Sequence, residues 1–262
     1  MNITAPTLIS LALLTLPHTV LAQQVPRPSG QWSVGAGAAV IDSPYAGEGT
    51  RVRPFPMVSY EGDRFFLRGI SGGVHLYENA GFRLDALLSA RLYGFDIDDL
   101  GRDALLANGL DPARLSDRDD GVDAGIRAVY GAAWGSLSLD ATHDISGSNE
   151  GYELALDYRY TWRLDRTALT VNAGSSWISS NLADYYFGIL DEEVARGVAA
   201  YRPGSAWIPR VGLTVMHPLG AKWQLIGSAE YQFLPNTLQD SPLLESDRSG
   251  MGRLVLGLSR SF

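Results

Sequence analysis

The sequence predicts an all-β fold: a transmembrane antiparallel up-and-down β-barrel of about 12 strands, with both termini in the periplasm. Three observations predict it. Many segments alternate apolar and polar residues, the connections between them alternate between short and long, and residues 252–262 form a last alternating segment that ends on Phe262. A period of two is the signal of a β-strand. Strands that face lipid on one side and a lumen on the other show this pattern.

The first four predicted strands are the weakest. Residues 32–40 form a Gly- and Ala-rich first strand, and residues 52–60 contain Pro54 and Pro56. Proline cannot donate a hydrogen bond to a β-ladder, so it is confined to open edges and bulges. Two short strands, 64–69 and 74–77, are predicted to join through Ser71-Gly72-Gly73.

The remaining strands alternate clearly. In residues 82–93, for example, Phe82, Leu84 and Leu88 oppose Arg83 and Asp85. This is the period expected of a strand with one apolar face. The other predicted strands span residues 122–134, 137–145, 152–163, 169–177, 211–216, 223–233 and 252–262.

Short connections and the long loops fall at alternate positions between the predicted strands. Short turns are predicted near residues 61–63, 79–81, 134–136, 164–167 and 218–221. All long loops fall in the alternate set, at about residues 41–51, 94–121, 180–206 and 234–250. Outer-membrane barrels have short periplasmic turns and long extracellular loops, whereas a soluble sandwich is not expected to sort its loops in this way.

Aromatic residues near the strand ends favour a lipid-facing girdle, because a ring there can lie half in lipid and half in water. The predicted girdle consists of Tyr152, Tyr158, Tyr160, Trp162, Trp177, Trp223, Tyr231 and Phe233.

Composition sets the domain organisation and excludes some functions. Residues 1–22 contain a short apolar core and predict a signal peptide, which leaves residues 23–262 as the barrel domain. The net charge of −8 disfavours nucleic acid as a partner, and the absence of Cys excludes disulfides. No other stretch approaches the ~18 apolar residues of a transmembrane helix.

Charged residues on the polar strand faces are candidates for the lining of a lumen or pore. Their mixed signs could fill and close the lumen through ion pairs, or line a narrow polar channel, and the sequence leaves both open. The candidates are Arg83, Arg91, Asp123, Arg127, Asp157 and Arg159.

The sequence contains no recognisable catalytic, cofactor-binding or metal-binding set. His75, His143 and His217 lack an oriented nucleophile nearby, so we expect no enzyme activity and no cofactor. Two acidic runs, Asp117 to Gly121 and Asp191 to Glu193, are expected to be solvated loops. The first could instead attract divalent cations held by lipopolysaccharide, because carboxylates suit hard cations. Residues 105–107 could form a short helix.

Five segments carry a family resemblance. They are Val34-Gly35-Ala36-Gly37, Tyr45-Ala46-Gly47, the proline-containing block 51–66, Tyr185-Tyr186-Phe187-Gly188 and Leu256-Gly257-Leu258-Ser259. With these residues the chain resembles the MipA/OmpV family, the MltA-interacting proteins of the Gram-negative outer membrane. The resemblance covers essentially the whole chain after the signal peptide. It implies that Gly257 and Phe262 belong to a barrel-assembly signal, although Arg260 stands where an aromatic residue is expected.

The resemblance implies an outer-membrane barrel in contact with lipid and lipopolysaccharide. It also implies a scaffold that joins a lytic transglycosylase to a penicillin-binding protein, as a participant in peptidoglycan growth. Other members are porin-like or adhesive, so a narrow channel for small solutes is the alternative function. A lipid-modifying enzyme is a third possibility, disfavoured because no nucleophile and base are seen together.

Overall fold

A computed structural model describes residues 30–262 of the chain. Twelve antiparallel strands form a closed barrel, in which every strand pairs with its neighbours in sequence and the first strand pairs with the last. The predicted fold class, an antiparallel β-barrel of 12 strands, is therefore confirmed, and the periplasmic location of the termini stays a prediction. The predicted signal peptide, residues 1–22, lies outside the described residues.

All twelve predicted strands are present. They are β1 (Gln31–Asp42), β2 (Thr50–Glu61), β3 (Phe65–Arg68), β4 (Ser71–Asn79), β5 (Phe82–Arg91), β6 (Gly121–Ala132), β7 (Gly135–Asp144), β8 (Tyr152–Leu164), β9 (Thr167–Ile178), β10 (Ala206–Leu219), β11 (Trp223–Phe233) and β12 (Gly250–Ser261).

Alternation arises because lipid surrounds the barrel. On β10, Val211, Leu213 and Val215 are exposed on the outer face, while the intervening residues face the lumen. In hydrocarbon every backbone polar group needs a partner, and a closed ring of strands supplies partners without a bare edge. The same pattern on the other long strands explains how the sequence predicts the barrel.

Two predicted boundaries were wrong. Ser71, Gly72 and Gly73 do not form the turn after β3; they begin β4, and the turn consists of Gly69 and Ile70. Both glycines are tolerated in β4 because it pairs along its whole length with β5. Strand β10 spans Ala206–Leu219 and passes through Pro209, so it is longer at both ends than the predicted strand 211–216.

The connections separate onto two rims, as predicted. At the short-turn rim, β2–β3, β4–β5, β6–β7, β8–β9 and β10–β11 are joined by turns of two or three residues. Strand β1 begins and β12 ends at this same rim. The long-loop rim carries the other connections, of which the long ones span residues 43–49, 92–120, 179–205 and 234–249.

Aromatic side chains surround the barrel near both rims. The predicted girdle residues Tyr152, Trp162, Trp223 and Phe233 are among the exposed large side chains. The outer face adds aromatic residues that the prediction omitted, namely Trp32, Tyr130, Trp134 and Trp207.

The long loops contain the short helices of the protein: α1 (Arg102–Ala107), α2 (Ser180–Phe187), α3 (Asp191–Ala195) and α4 (Asn236–Gln239). Helix α1 confirms the short helix expected at residues 105–107. None of the helices in residues 30–262 is long and apolar enough to cross a membrane.

Candidate functional site: a capped lumen and a gap in the wall

The long loops pack into one domain-like cap, defined here as residues 43–49, 92–120, 179–205 and 234–249. Its interior is apolar, and Leu105, Tyr186, Ile189, Leu238 and Leu243 are completely buried. These residues come from three different loops and form one cluster that continues onto the inner ends of β9 and β10. Burial of this size and continuity closes the barrel at its long-loop rim.

Hydrogen bonds join the loops of the cap. The side-chain amide of Asn108 donates to the carbonyls of Pro242 and Leu244, at 2.9 and 2.8 Å. The Tyr45 hydroxyl donates to the Tyr186 carbonyl at 3.3 Å. Burial raises the pKa of the Tyr45 and Tyr186 phenols above their ordinary value, because the charged phenolate would be desolvated in the apolar core.

One ion pair at the centre of the cap is fully buried. Both side-chain nitrogens at the end of Arg118 donate to the carboxylate of Glu193, at 2.9 Å each. Arg118 also donates to the Tyr185 carbonyl at 2.6 Å, and the backbone N–H of Leu190 donates to Glu193 at 2.7 Å. The expectation that the acidic runs are solvated is therefore wrong at Arg118 and Glu193, because both side chains hold the cap together.

An ionic layer, made by the inward side chains of β5 to β8 and β10, lies directly below the cap. Arg91 of β5 pairs with Asp123 of β6 at 2.6 Å and with Glu153 of β8 at 2.8 Å. Strands β6 and β7 separate β5 from β8, so the second contact crosses the lumen. Arg210 of β10 reaches Asp157 of β8 at 2.5 Å. The Arg91–Glu153 and Arg210–Asp157 pairs thus join non-adjacent strands through the interior.

The cap and the ionic layer leave little space between them. The cavity there has a volume of about 20 Å³ and is lined by Tyr93, Glu153, Tyr186 and Arg210 among others. A volume of that size holds roughly one water molecule. The part of the lumen between the cap and the ionic layer is therefore filled.

The six predicted lumen residues all lie on the inward strand faces. Arg91, Asp123 and Asp157 belong to the ionic layer, Arg127 pairs with Asp140 at 2.7 Å, and Arg83 lies 3.2 Å from Asp85. Arg159 differs, since it is exposed and makes no ion pair with another residue of the described chain. Thr161 and Arg163, further along β8, are exposed as well.

In the barrel formed by residues 30–262, the lower half of the lumen is thus solvated and open toward the short-turn rim. The barrel has the form of a cup whose closed end lies at the long loops.

A polar chain crosses the short strands β2 to β5 and was not predicted. The Nδ1 atom of His75 lies 2.6 Å from Asp85, and its Nε2 atom lies 3.4 Å from Glu61. Glu61 also accepts two hydrogen bonds from Arg68, at 2.7 and 3.0 Å. The sequence placed Glu61 in a turn, so no pattern within one segment could indicate this cluster.

The barrel wall is incomplete beside β2. All twelve residues of β2 pair with β1, but only Ser59, Tyr60 and Glu61 pair with β3. Beyond them, the N–H of Gly69 donates to the Val58 carbonyl at 3.0 Å. Along residues 50–57, the opposite edge of β2 has no strand partner among residues 30–262. We call this opening the wall gap.

Two contacts bound the wall gap at its upper end. Arg51 pairs with Glu48 and lies 3.8 Å from Asp99. The N–H of Gly101 donates to the Ala46 carbonyl at 2.9 Å, so the loop after β5 covers the end of β2. The lower boundary is the Gly69–Ile70 turn.

The prolines of β2 belong to this open edge. Since Gly69 bonds to Val58 on the β3 side, the even-numbered backbone groups of β2 point toward the gap. The missing N–H groups of Pro54 and Pro56 therefore lie on the unpaired edge, where proline costs no ladder hydrogen bond and blocks edge-to-edge association.

The inner side of the wall gap is apolar and smooth. Phe55 and Met57 point inward against β1 and β12, which present glycine there. A Cβ atom on Gly37 would lie 3.0 Å from the Phe55 ring, and one on Gly257 would collide with the Met57 sulfur. Because these glycines have no side chains, Phe55 and Met57 can pack closely against β1 and β12.

The predicted assembly residues Gly257 and Phe262 both lie at the ring closure, where the end of the chain pairs with β1. The N–H of Phe262 donates to the Trp32 carbonyl at 3.0 Å, which links the last residue to β1. Arg260 faces outward and stacks on both Phe262 and Trp223, with its guanidinium carbon 5.1 and 5.8 Å from the two ring centres. The role of Gly257 and Phe262 as an assembly signal stays a prediction.

The remaining histidines and acidic residues have structural partners. His143 lies 3.0 Å from the Gly151 carbonyl, and His217 lies 2.8 Å from the Thr167 hydroxyl. Asp117 and Asp120 accept backbone hydrogen bonds within the cap, at 2.7 and 2.9 Å. Residues 30–262 contain no group of three or more His, Asp or Glu side chains placed to hold a metal ion.

A closed antiparallel barrel with an apolar outer face, aromatic rims and a polar interior defines an outer-membrane β-barrel protein. The family model for the MltA-interacting protein MipA matches residues 34–262, and the chain belongs to that family.

Relatives of full length agree with this assignment. The chain is 32% identical over 252 residues to the outer membrane protein YiaT of Escherichia coli K12, covering 96% of this chain and 97% of the relative. It is 30% identical over 241 residues to the MltA-interacting protein of the same organism, covering 91% and 93%. An outer membrane channel from Pseudomonas putida F1 aligns with a TM-score of 0.42 at 13% identity, over 95% of this chain and 100% of that one.

Proposed function

We propose that this protein is a non-enzymatic anchor that holds a periplasmic murein-remodelling enzyme, of the lytic transglycosylase class, at the outer membrane. The carrying observation is the closed upper lumen, in which the cap and the Arg91 and Arg210 ion pairs fill the path that a general porin keeps open. The relative named MltA-interacting protein supports the choice of enzyme class. A penicillin-binding protein is the second partner proposed for the complex.

The short-turn rim is the surface assigned to this partner. The short turns are proposed to face the periplasm, as in the outer-membrane plan, together with Gln31 and Ser261, which lie at the same rim. The turns carry exposed charges of both signs, such as Asp63, Arg64, Asp165, Arg166 and Lys222.

The short turns alone are small for a stable complex, because a standard interface buries roughly 800 Å² on each partner. The segment Gln23–Gln31, with Pro26 and Pro28, is therefore proposed to contribute to the contact; its residues 23–29 lie outside the described residues.

A capture experiment tests the anchor. The protein, reconstituted in nanodiscs, is incubated with a purified lytic transglycosylase, and bound enzyme is quantified. Deletion of residues 23–29 should weaken capture several-fold, whereas Arg114→Ala in the exposed part of the cap should leave it unchanged. Equal capture by the deletion variant and the parent protein would remove residues 23–29 from the interface. No capture by the parent protein would overturn the anchor itself.

A narrow solute channel is the second candidate, favoured by Arg159, which is exposed in the lower lumen and makes no ion pair within residues 30–262. Single-channel recording of the refolded protein separates the two functions. Discrete openings whose ion selectivity changes in Arg127→Gln or Arg159→Gln would favour the channel. A silent bilayer, with folding verified by heat-modifiable gel migration, would favour the anchor.

A further inference from the structure

We propose that the wall gap is a lateral portal, through which single-chain anionic amphiphiles enter the lumen from the surrounding lipid. This activity is separate from the anchor function and uses the side of the barrel rather than its rim. Four features of the structure support it.

The first feature is the position of the opening. The gap lies in the barrel wall between two strands, so it faces the hydrocarbon of the membrane and not the aqueous phase. An unpaired strand edge in lipid is unfavourable, because each backbone N–H or C=O group without a hydrogen-bond partner there costs several kcal/mol relative to water. Two prolines remove part of that cost, since Pro54 and Pro56 have no N–H to leave unpaired.

The second feature is the weakness of the adjoining seam. Strands β2 and β3 share three residue pairs, and β3 and β4 share four. Each of the other seams contains at least eight pairs, as in β7 with β8. The β3–β4 hairpin can thus shift relative to β2 with the loss of few hydrogen bonds, and the gap can widen to admit a chain.

The third feature is the chemistry of the lining. Phe55 and Met57 present apolar surface on the lumen side, and Val52, Ile70 and Leu92 are exposed on the lipid side. A saturated chain that passes between these surfaces contacts apolar side chains, beside the carbonyl groups of the open β2 edge. A bulky two-chain lipid would need the hairpin to be displaced altogether.

The fourth feature is a cation above the apolar lining. Arg53 lies on the same face of β2 as Phe55, is exposed, and forms no ion pair with another residue of the described chain. Its neighbour Arg51 is engaged with Glu48. A free guanidinium next to an apolar track suits a carboxylate head group followed by an acyl chain.

The cup shape completes the route. The cap and ionic layer block movement toward the long-loop rim, while the lower lumen is solvated around Arg159 and Thr161. A molecule that enters through the gap is therefore directed toward the short-turn rim.

Fluorescence quenching tests the portal, and the lack of Cys in the chain makes single-site labelling straightforward. A fluorophore is attached to Phe55→Cys inside the gap. Two controls on β10 lie behind a fully paired wall: Leu213→Cys on the outer face and Thr214→Cys on the inner face. Each protein is reconstituted in vesicles, and spin-labelled stearate is added as quencher.

We expect stearate to quench the labels at positions 55 and 213 strongly and the label at position 214 several-fold less. If stearate quenches the label at position 55 as weakly as the label at position 214, the portal is overturned. If stearate quenches both inward labels strongly, the portal is also overturned, because stearate would then enter through the open rim. Quenching of position 55 to the same extent by a spin-labelled two-chain phospholipid would overturn the preference for single-chain molecules.

Two further variants examine the mechanism in the F55C background. Arg53→Gln should lower quenching by stearate several-fold and leave quenching by an uncharged spin-labelled alcohol of equal chain length unchanged. Arg159→Gln, in the lower lumen, should alter neither. Lengthening the β3–β4 hairpin with alternating residues, so that it pairs along β2, should protect position 55; continued quenching in that folded variant would contradict the portal.

Discussion

Arg118 and Glu193, which are 75 residues apart in the chain, form a two-point ion pair in which neither side chain is accessible to solvent. The pair joins the loop between β5 and β6 to the loop between β9 and β10. A buried charge without its partner is strongly unfavourable, so this contact fixes the relative position of the two loops once the cap has formed.

Removal of one partner should loosen the cap. Arg118→Ala leaves the Glu193 carboxylate buried without a counter-charge, which typically costs about 3–5 kcal/mol. Because the strands do not depend on this pair, we expect the barrel to remain folded while the cap opens. Limited proteolysis of the protein in vesicles should then cleave residues 92–120 and 179–205 much faster than in the parent protein.

A matched control is available on the same loop. Arg114 pairs with Asp111 at 3.6 Å while about half exposed, and Arg114→Ala should leave cleavage unchanged. The double variant Arg118→Met, Glu193→Leu should recover part of the protection, since no unpaired charge remains. If Arg118→Ala is as resistant as the parent protein, the ion pair does not hold the cap.

Alkaline pH should also open the cap. Burial raises the pKa of Tyr45 and Tyr186 above the ordinary value of 10.0. Below that pH the two phenols keep their protons in both the folded cap and the unfolded loops, so their titration does not change the stability of the cap. Above it the unfolded loop loses the proton while the folded cap retains it, so folded stability falls as pH rises. In a titration toward alkaline pH, tyrosinate absorbance should therefore show a second rise above the ordinary pKa of tyrosine, at the pH where the cap becomes sensitive to protease. Tyr186→Phe should reduce the amplitude of that second rise.

Glycines near the ring closure should differ in their tolerance of a side chain. A Cβ on Gly35 would collide with the backbone carbonyl of Leu258, whereas one on Gly257 would collide with the movable Met57 side chain. We expect Gly35→Val to prevent folding and Gly257→Val to reduce it, with rescue of the latter by Met57→Ala. Heat-modifiable gel migration measures the folded fraction. Gly227→Ala, with its nearest neighbour at 3.4 Å, is the control.

The ionic layer should contribute to the stability of the barrel. Arg91→Met leaves Asp123 and Glu153 without their shared cation, and both carboxylates then repel each other in the lumen. A loss of about 3–5 kcal/mol in the free energy of unfolding is expected from the removal of a buried partner. Urea unfolding in vesicles, followed by Trp fluorescence, measures it. Arg159→Met, at an exposed and unpaired position, should change the midpoint little.

Strand positions could be predicted because lipid imposes one rule on every strand. Leu213 and Leu254 face hydrocarbon wherever their neighbours lie, so alternation within one segment suffices to identify a strand. The cap follows no such rule. The sequence could not indicate that Arg118 meets Glu193, because that contact depends on how separate loops pack, and both residues resemble ordinary solvated charges.

The wall gap could be predicted from the sequence only in part. Pro54 and Pro56 are two residues apart, so their missing N–H groups point to the same side of β2, and this spacing indicates one open edge. The sequence pattern alone could not reveal the length of that edge. It depends on β3 ending at Arg68, and the apparent turn at Ser71-Gly72-Gly73 concealed the true boundary.

Pairing of β1 with β12 has a consequence for biosynthesis. The strand that begins at Gln31 finds its partner only after the other strands have been synthesised, in β12, which ends at Ser261. A chain truncated before Gly250 would expose one bare edge on β1 and another on β11. Such a product is prone to join other chains edge to edge. Partial synthesis therefore yields material for degradation rather than a smaller working barrel.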